Sequence, residues 1–141
     1  MLQLENAMRI AAFVLFASLA FAEPPVDVRD FLRTAAEALV NDDASEFMGK
    51  FDRNLPEYAT LRSEIEGLLA AYDVGSSIEV VKDEGDNQKR TLELDWLLVT
   101  TEKAANHSNG ISRRQIVKCR IERRGKQWKI TGFEPVGFFK Y

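Results

Sequence analysis

Few side chains in this sequence could act as a general acid or base within one site. Asp95 lies in an alternating apolar run and Glu134 follows the last such run, so these carboxylates are the catalytic candidates. A base must lie within hydrogen-bond reach of its proton, and burial tunes its pKa. Asp95 points outward by parity unless a bulge turns it inward. His107, the single histidine, lies in a polar connection and is interpreted as a solvated loop residue.

Metal and covalent chemistry are not indicated. The sequence has one histidine and one cysteine, and it lacks acidic loops with calcium spacing and glycine-rich phosphate loops. We therefore expect no metal site and no cofactor. Cys119 occupies an inward strand position, which predicts a buried, inert thiol. A single cysteine cannot form an internal disulfide, so stability must come from the core.

Apolar and polar residues alternate over 92–98, 117–122 and 128–133, which predicts antiparallel strands with one buried face. A shorter run at 77–82 predicts a strand before them. The predicted inner-face residues are Leu92, Leu94, Trp96, Leu98, Val117, Cys119, Ile121, Trp128 and Ile130.

The strand registers follow from matching these faces. A register with Trp96 opposite Val117 also sets Asp95 opposite Lys118, so an apolar pair and an opposite-charge pair agree. In the next hairpin, the same reasoning sets Ile121 opposite Trp128. Regular pairing of the last strand should end near Pro135.

The opposite face of the predicted sheet carries an apolar row. Leu97, Ile116 and Phe133 align across three strands, with Val99 beside them. An aligned apolar row suggests a contact surface. We expect a homodimer formed through the sheet; the alternatives are a covering terminus or scattered surface residues.

Polar residues gather at one end of the predicted inner face. Thr100 faces Arg113 and Gln115 faces Glu134, while Tyr58 can approach from the third helix. An apolar pocket with a few polar groups at its mouth is typical of a small-molecule site. The alternative is an Arg113–Glu134 ion pair that closes the end of the barrel. The predicted binding residues are Tyr58, Trp96, Leu98, Thr100, Arg113, Gln115 and Trp128.

Helical spacing precedes the strands. Apolar residues at three- and four-residue intervals predict helices over 26–40, over a short segment within 43–51, and over 56–73, with Gly75 as the stop. Asp43 followed by Glu46 fits a capping box. Helices followed by a run of strands indicate an α+β protein.

The first residues form a separate unit. Arg9 precedes an apolar run from Ile10 to Ala22 that ends in a small-x-small motif, which predicts a signal peptide over 1–22. The run is short for a membrane span, although an uncleaved anchor is the alternative. Either Met1 or Met8 can be the initiator. Residues 23–141 are predicted to form one domain.

The charge of the chain limits the classes of binding partner that we expect. The formal net charge is −3, and the basic residues near the C-terminus alternate with apolar ones. We therefore expect neither nucleic acid nor an anionic membrane surface as a partner.

The order of these features resembles the NTF2-like superfamily, which includes ketosteroid isomerases, scytalone dehydratase and SnoaL-type polyketide cyclases. The resemblance rests on the acidic helix break 41–44, on Phe47 and Phe51 after it, and on a final hairpin with Gly125, Trp128 and Ile130. It implies a cystatin-like cone, in which a strongly curved four-stranded antiparallel meander wraps around a pocket. Many members dimerise through the sheet. The superfamily spans enzymes, binding proteins and assembly modules, so resemblance alone does not give a function.

We therefore expect an exported protein, periplasmic or extracellular, that binds a small apolar molecule in the cone without catalysis and forms a homodimer. One alternative is a cofactor-free isomerase, dehydratase or cyclase, with Asp95 or Glu134 as the base and Tyr58 or Arg113 polarising the substrate. The other is an envelope interaction module whose cone is filled by tryptophans.

Overall fold

The computed structural model describes residues 24–104 and 110–141. The leader predicted over 1–22 and the loop residue His107 lie outside these ranges. The elements in chain order are α1 (Val26–Val40), α2 (Ala44–Met48), α3 (Tyr58–Ala71), β1 (Tyr72–Gly85), β2 (Lys89–Glu102), β3 (Ile111–Arg124), β4 (Gln127–Glu134) and a C-terminal 3₁₀ helix (Val136–Phe139).

The four strands form one antiparallel sheet in the order β1-β2-β3-β4, with the helices packed on its inner face. This confirms the α+β class and the meander predicted from the sequence. No helix in the described ranges combines the length and the apolar character needed to cross a membrane.

The helices begin and end close to the predicted positions. α1 spans 26–40 as predicted, and the Asp43 carboxylate caps α2 by accepting a hydrogen bond of 2.9 Å from the backbone N–H of Glu46. The end of α3 differs from the prediction, because Tyr72 enters β1 directly and Gly75 pairs with Val99 inside the strand. β1 is therefore longer than the predicted 77–82 segment: its partner strand β2 offers hydrogen bonds along nearly its whole length.

The predicted register of β2 and β3 is wrong by two residues. Trp96 lies opposite Gln115 rather than Val117, and Asp95 lies opposite Ile116 rather than Lys118. A shift of two residues keeps every side chain on its predicted face, so the apolar pattern cannot distinguish the two registers. In the observed register the Asp95 carboxylate accepts hydrogen bonds from Arg114, at 2.9 Å from Nε.

The hairpin of β3 and β4 also departs from prediction. Arg123 rather than Ile121 lies opposite Trp128, and the ladder shifts by one residue between Arg120 and Ile121. The shift leaves Thr131 as an extra residue on β4, which reverses the facing of the residues after it. Phe133 was predicted on the outer face, but it points inward and is 4% exposed.

A polar staple joins the start of α1 to this hairpin. The Asp27 carboxylate accepts hydrogen bonds from the Arg123 guanidinium at 2.6 Å and from the Trp128 indole N–H at 3.1 Å. The Arg123 guanidinium also lies over the Trp128 ring, 4.3 Å from its centroid. The hydrogen bond from Arg123 lowers the pKa of Asp27, and the Trp128 bond acts in the same direction.

The staple predicts a pH-dependent loss of stability. We expect Asp27→Ala to reduce the free energy of unfolding by about 1 kcal/mol at neutral pH, because two donors lose a charged acceptor. Since the folded-state pKa is lowered, the stabilisation is present above the pKa of the unfolded chain and is lost as pH falls through the folded-state pKa. Urea unfolding at several pH values measures this. Asp30→Ala, also on α1, is the control, and an equal loss in both variants would contradict the staple.

Candidate functional site

The interior of the cone is filled by aromatic rings. Trp96 lies at the centre, and four phenylalanine rings surround it with centroids between 5.4 and 6.2 Å from its own. We call these five residues the aromatic cluster: Phe47, Trp96, Phe133, Phe138 and Phe139. All five are at most 4% exposed. The space in which a small apolar ligand was expected is therefore occupied by side chains of the protein.

Two members of the aromatic cluster come from the C-terminal 3₁₀ helix, which begins after Pro135. Arg113 holds this segment in place. Its guanidinium donates hydrogen bonds to the carbonyls of Phe138 and Lys140, the latter at 2.8 Å, and lies 3.9 Å from the centroid of the Tyr141 ring. The Arg113–Glu134 ion pair that the sequence suggested does not form, because Arg113 binds the tail and Glu134 is exposed beside Lys118.

Four other predicted binding residues lie apart from any common pocket. The Thr100 hydroxyl donates to the carbonyl of Ile111 at 3.3 Å, and the Trp96 indole N–H donates to the Ser76 hydroxyl at 3.0 Å. Leu98 is fully buried and Gln115 is exposed. These residues do not converge on a cavity.

Neither catalytic candidate enters the cone. Asp95 faces outward, where the hydrogen bond from Arg114 lowers its pKa and keeps it ionised. Glu134 is exposed at the end of β4. Cys119 is buried as predicted, and desolvation raises the pKa of its thiol to about 12. The described residues contain no group of three or more histidine, cysteine or acidic side chains that could hold a metal ion.

One half-buried carboxylate with a buried oxygen lies close to the C-terminal segment. Glu64 is on α3, the helix that packs against the 3₁₀ helix, and its Oε2 has no hydrogen-bond partner in the described part of the chain. Burial raises the pKa of Glu64 above its ordinary value, and the nearby Lys140 offsets this only in part.

A large pocket lies outside the cone. It lies between α2, the α2–α3 connection, α3 and the β3–β4 hairpin, and it has a volume of about 750 Å³. We call it the helix–hairpin cleft. Tyr58 is the one predicted binding residue that lines it. The lining residues are Ala44, Ser45, Met48, Gly49, Phe51, Asp52, Arg53, Asn54, Tyr58, Arg62, Glu66, Arg124 and Lys129.

Backbone pairing with β4, which lies far away in the sequence, fixes the floor of the helix–hairpin cleft. Phe51 forms an isolated parallel bridge with Ile130, and the Asp52 N–H donates to the Ile130 carbonyl at 2.8 Å. The Lys129 ammonium donates to the Gly49 carbonyl. Asp52 accepts from the Asn54 N–H at 2.8 Å and from Arg124 at 3.1 Å; both bonds lower its pKa, the Asn54 bond more strongly.

The sequence did not reveal this cleft, because its cationic residues come from separate segments with no shared period. Arg53 and Arg62 belong to the α2–α3 connection and α3, whereas Arg124 and Lys129 belong to the hairpin.

On the outer face of the sheet, three of the four predicted contact residues are accessible. Ile116 is 49% exposed, and Leu97 and Val99 are half-buried. Phe133 belongs to the aromatic cluster instead.

Comparison with known proteins places the fold. No family model matches the chain, and no curated protein matches it. Solved structures do match. A conserved protein from Planctomyces limnophilus aligns with a TM-score of 0.67 at 8% identity, over 77% of this chain and 91% of that one. An NTF-2-like protein of unknown function from Shewanella oneidensis gives 0.57 at 11% identity, over 76% and 93%.

A third match is a protein of unknown function with a cystatin-like fold from Nostoc punctiforme. It gives a TM-score of 0.58 at 12% identity, over 77% of this chain and 86% of that one. At such identities the likeness concerns the fold alone. It agrees with the architecture that the sequence resemblance implied.

The aromatic cluster predicts the effect of opening the cone. We expect Phe138→Ala to lower the free energy of unfolding by about 3–5 kcal/mol, because the variant leaves a cavity beside Trp96. An apolar cavity of this kind accepts small aromatic molecules. Benzene should therefore raise the melting temperature of Phe138→Ala and leave that of the wild type and of Phe138→Leu unchanged. Equal effects of benzene on all three proteins would contradict a filled interior.

The ionisation of Glu64 is predicted to destabilise the fold as pH rises, whereas the ionisation of Asp27 stabilises it. Its raised folded-state pKa means that the folded protein binds this proton more tightly than the unfolded chain, so ionisation destabilises the fold as pH rises above the ordinary glutamate range. Glu64→Gln should therefore be more stable than the wild type at neutral pH, and the difference should vanish in acid. Thermal unfolding across this pH range checks it, with Glu66→Gln on the same helix as control. A wild type that equals Glu64→Gln at neutral pH would refute the effect.

Proposed function

Because the chain has the NTF2-like fold with its cone filled by aromatic side chains, we propose that it is a non-catalytic binding protein that self-associates through the outer face of its sheet. The observation that carries this proposal is the aromatic cluster, which uses the cone for stability rather than for a ligand. Binding then falls to the exterior. The same observation favours the interaction module over the small apolar ligand in the cone.

The enzymatic alternative lacks the group that its chemistry needs. Cofactor-free isomerases and dehydratases transfer protons with a side chain held in an apolar site at a suitable pKa. Asp95 is on the outer face in a hydrogen-bonded pair with Arg114, and Glu134 is exposed. Arg113, the proposed polarising group, is occupied by backbone carbonyls. These positions support binding without catalysis.

The outer face supports a second copy of this chain as the partner. Leu97, Val99 and Ile116 place three accessible apolar side chains on this face, and the Asp95–Arg114 ion pair lies among them, because Leu97 pairs with Arg114 and Ile116 with Asp95. The predicted alignment of Leu97 with Ile116 is therefore wrong by the same two residues as the register. An isologous dimer turns the same patch on itself. β1 and β2 carry acids on this face, Glu79 and Asp95, and β3 carries Arg114, so a two-fold axis that sets β2 over β3 of the second copy pairs opposite charges.

Binding of a small apolar ligand in the cone is the second candidate. One observation favours this candidate. Phe138 and Phe139, which fill part of the cone, belong to a short segment that is held by packing and by Arg113. A ligand would have to displace these two rings. The benzene titration described above tests whether the wild-type cone admits one.

Export completes the proposal. The basic residue and apolar run before Ala22 support cleavage there and a periplasmic or extracellular mature protein. N-terminal sequencing of the protein purified from its native host tests this, and a first residue other than Glu23 would contradict the proposed cleavage.

The dimer predicts a selective effect of charge on the outer face. We expect wild-type protein to be dimeric and Ile116→Lys to be monomeric in light scattering coupled to size-exclusion chromatography, because the lysine buries a charge in the interface. Val40→Lys replaces an equally exposed apolar residue, 52% exposed, on α1 and should stay dimeric. A wild-type monomer at all soluble concentrations, or a dimer that survives Ile116→Lys, would overturn the proposed interface.

A further inference from the structure

We infer that the helix–hairpin cleft is a binding site for a small organic anion that carries a carboxylate or a phosphate group. This site is separate from the cone and from the outer face of the sheet. The inference therefore adds a small-molecule ligand to the proposed self-association. The anion site does not depend on whether the protein self-associates.

The dimensions of the cleft suit a small molecule. Its volume of about 750 Å³ lies within the range of roughly 300–1,000 Å³ that is usual for ligand pockets. Met48 and Phe51 give it an apolar floor, and the half-buried Tyr58 contributes an aromatic wall. A ligand with a compact apolar body and a charged end matches this lining.

The charge of the cleft is opposite to that of the protein. The whole chain carries a formal net charge of −3. The cleft, however, brings together four cationic side chains and two carboxylates: Arg53, Arg62, Arg124 and Lys129 against Asp52 and Glu66. A local excess of positive charge in a concave site concentrates anions there. In a mildly acidic protein, such an excess does not follow from composition.

The carboxylates of the cleft already have partners. Asp52 binds Arg124 at 3.1 Å, and Glu66 binds Arg62 at 2.7 Å. Arg124 also pairs with Glu122 at 3.2 Å, so within the part of the chain that the structure describes Arg53 and Lys129 are the cations of the lining without a carboxylate partner. Arg53 is exposed and forms no ion pair or hydrogen bond within residues 24–104 and 110–141. Its guanidinium therefore keeps all its donors for a ligand. A guanidinium binds carboxylates and phosphates with two parallel hydrogen bonds, which gives directional as well as electrostatic recognition.

The start of α3 adds to the same field. The helix begins at Tyr58 on the rim of the cleft. No side chain in the described ranges caps its first turn, and the Tyr58 N–H donates to the Leu55 carbonyl at 3.0 Å. The positive end of the helix dipole favours a nearby anion. The helix start is thus a supplement to the arginines. The positive lining, the unpaired Arg53 and the start of α3 all favour a negatively charged ligand.

The backbone around Arg53 is held in place before any ligand arrives. Asp52 pairs with β4 through Ile130, and its carboxylate caps the Asn54 N–H at 2.8 Å. Arg53 lies between these two anchored residues. A fixed backbone reduces the entropy lost on binding.

The test is a calorimetric titration of the purified full-length protein with three probes: inorganic phosphate, phenyl phosphate and benzoate. We expect saturable binding of at least one probe with one site per chain. Tighter binding of phenyl phosphate and phosphate than of benzoate would identify a phosphate group as the recognised end of the ligand. Tighter binding of benzoate would identify a carboxylate.

Arg53→Gln should weaken this binding by about tenfold or more, because a charged bidentate donor is lost. The fold should be unaffected, since Arg53 has no structural partner, and an unchanged melting temperature verifies this. Arg33→Gln, an exposed arginine on α1, is the matched control and should retain wild-type binding. No saturable binding of any probe, or equal weakening by both substitutions, would overturn the inference. Dimerisation is measured separately and decides only the proposed function.

Discussion

The packing of Trp96 against the C-terminal phenylalanines is the interaction on which the rest of this structure depends. Trp96 stands in the middle of β2, its indole N–H is satisfied by Ser76, and its ring meets side chains from α2, β4 and the 3₁₀ helix. Edge-on and tilted contacts of this kind stabilise beyond the area that they bury. They tie α2, β4 and the 3₁₀ helix to β2. Arg113 then needs only to hold the tail at the rim.

This use of the interior decides where function can lie. The space between the sheet and the helices can hold either a ligand or side chains, and here the C-terminal segment supplies side chains. Of the acids that the sequence offered as candidates, Asp95 is on the outer face beside Arg114 and Glu134 is exposed. The accessible features among the described residues are apolar side chains on the sheet and a basic cleft beside the helices. Both have the chemistry of recognition surfaces.

The sequence predicted the faces of the strands more reliably than their partners. The alternation of apolar and polar residues correctly placed Trp96 on the inner face and Asp95 on the outer face, because neighbouring residues of a strand point to opposite faces. It could not set the register, since a two-residue shift keeps parity, nor could it foresee the bulge at Thr131 that turns Phe133 inward. The tail after Pro135 had no periodicity, so its entry into the cone was invisible, and the cleft escaped because distant segments assemble it.

Phe51 connects the aromatic cluster to the helix–hairpin cleft. Its ring lies 5.4 Å from Phe47 and 5.8 Å from Phe133, both members of the aromatic cluster, and it also forms part of the floor of the helix–hairpin cleft. The residues that follow it, Asp52 and Arg53, begin from a backbone that the core already fixes. The packing that fills the cone therefore also anchors the floor of the proposed anion site, because Phe51 belongs to both.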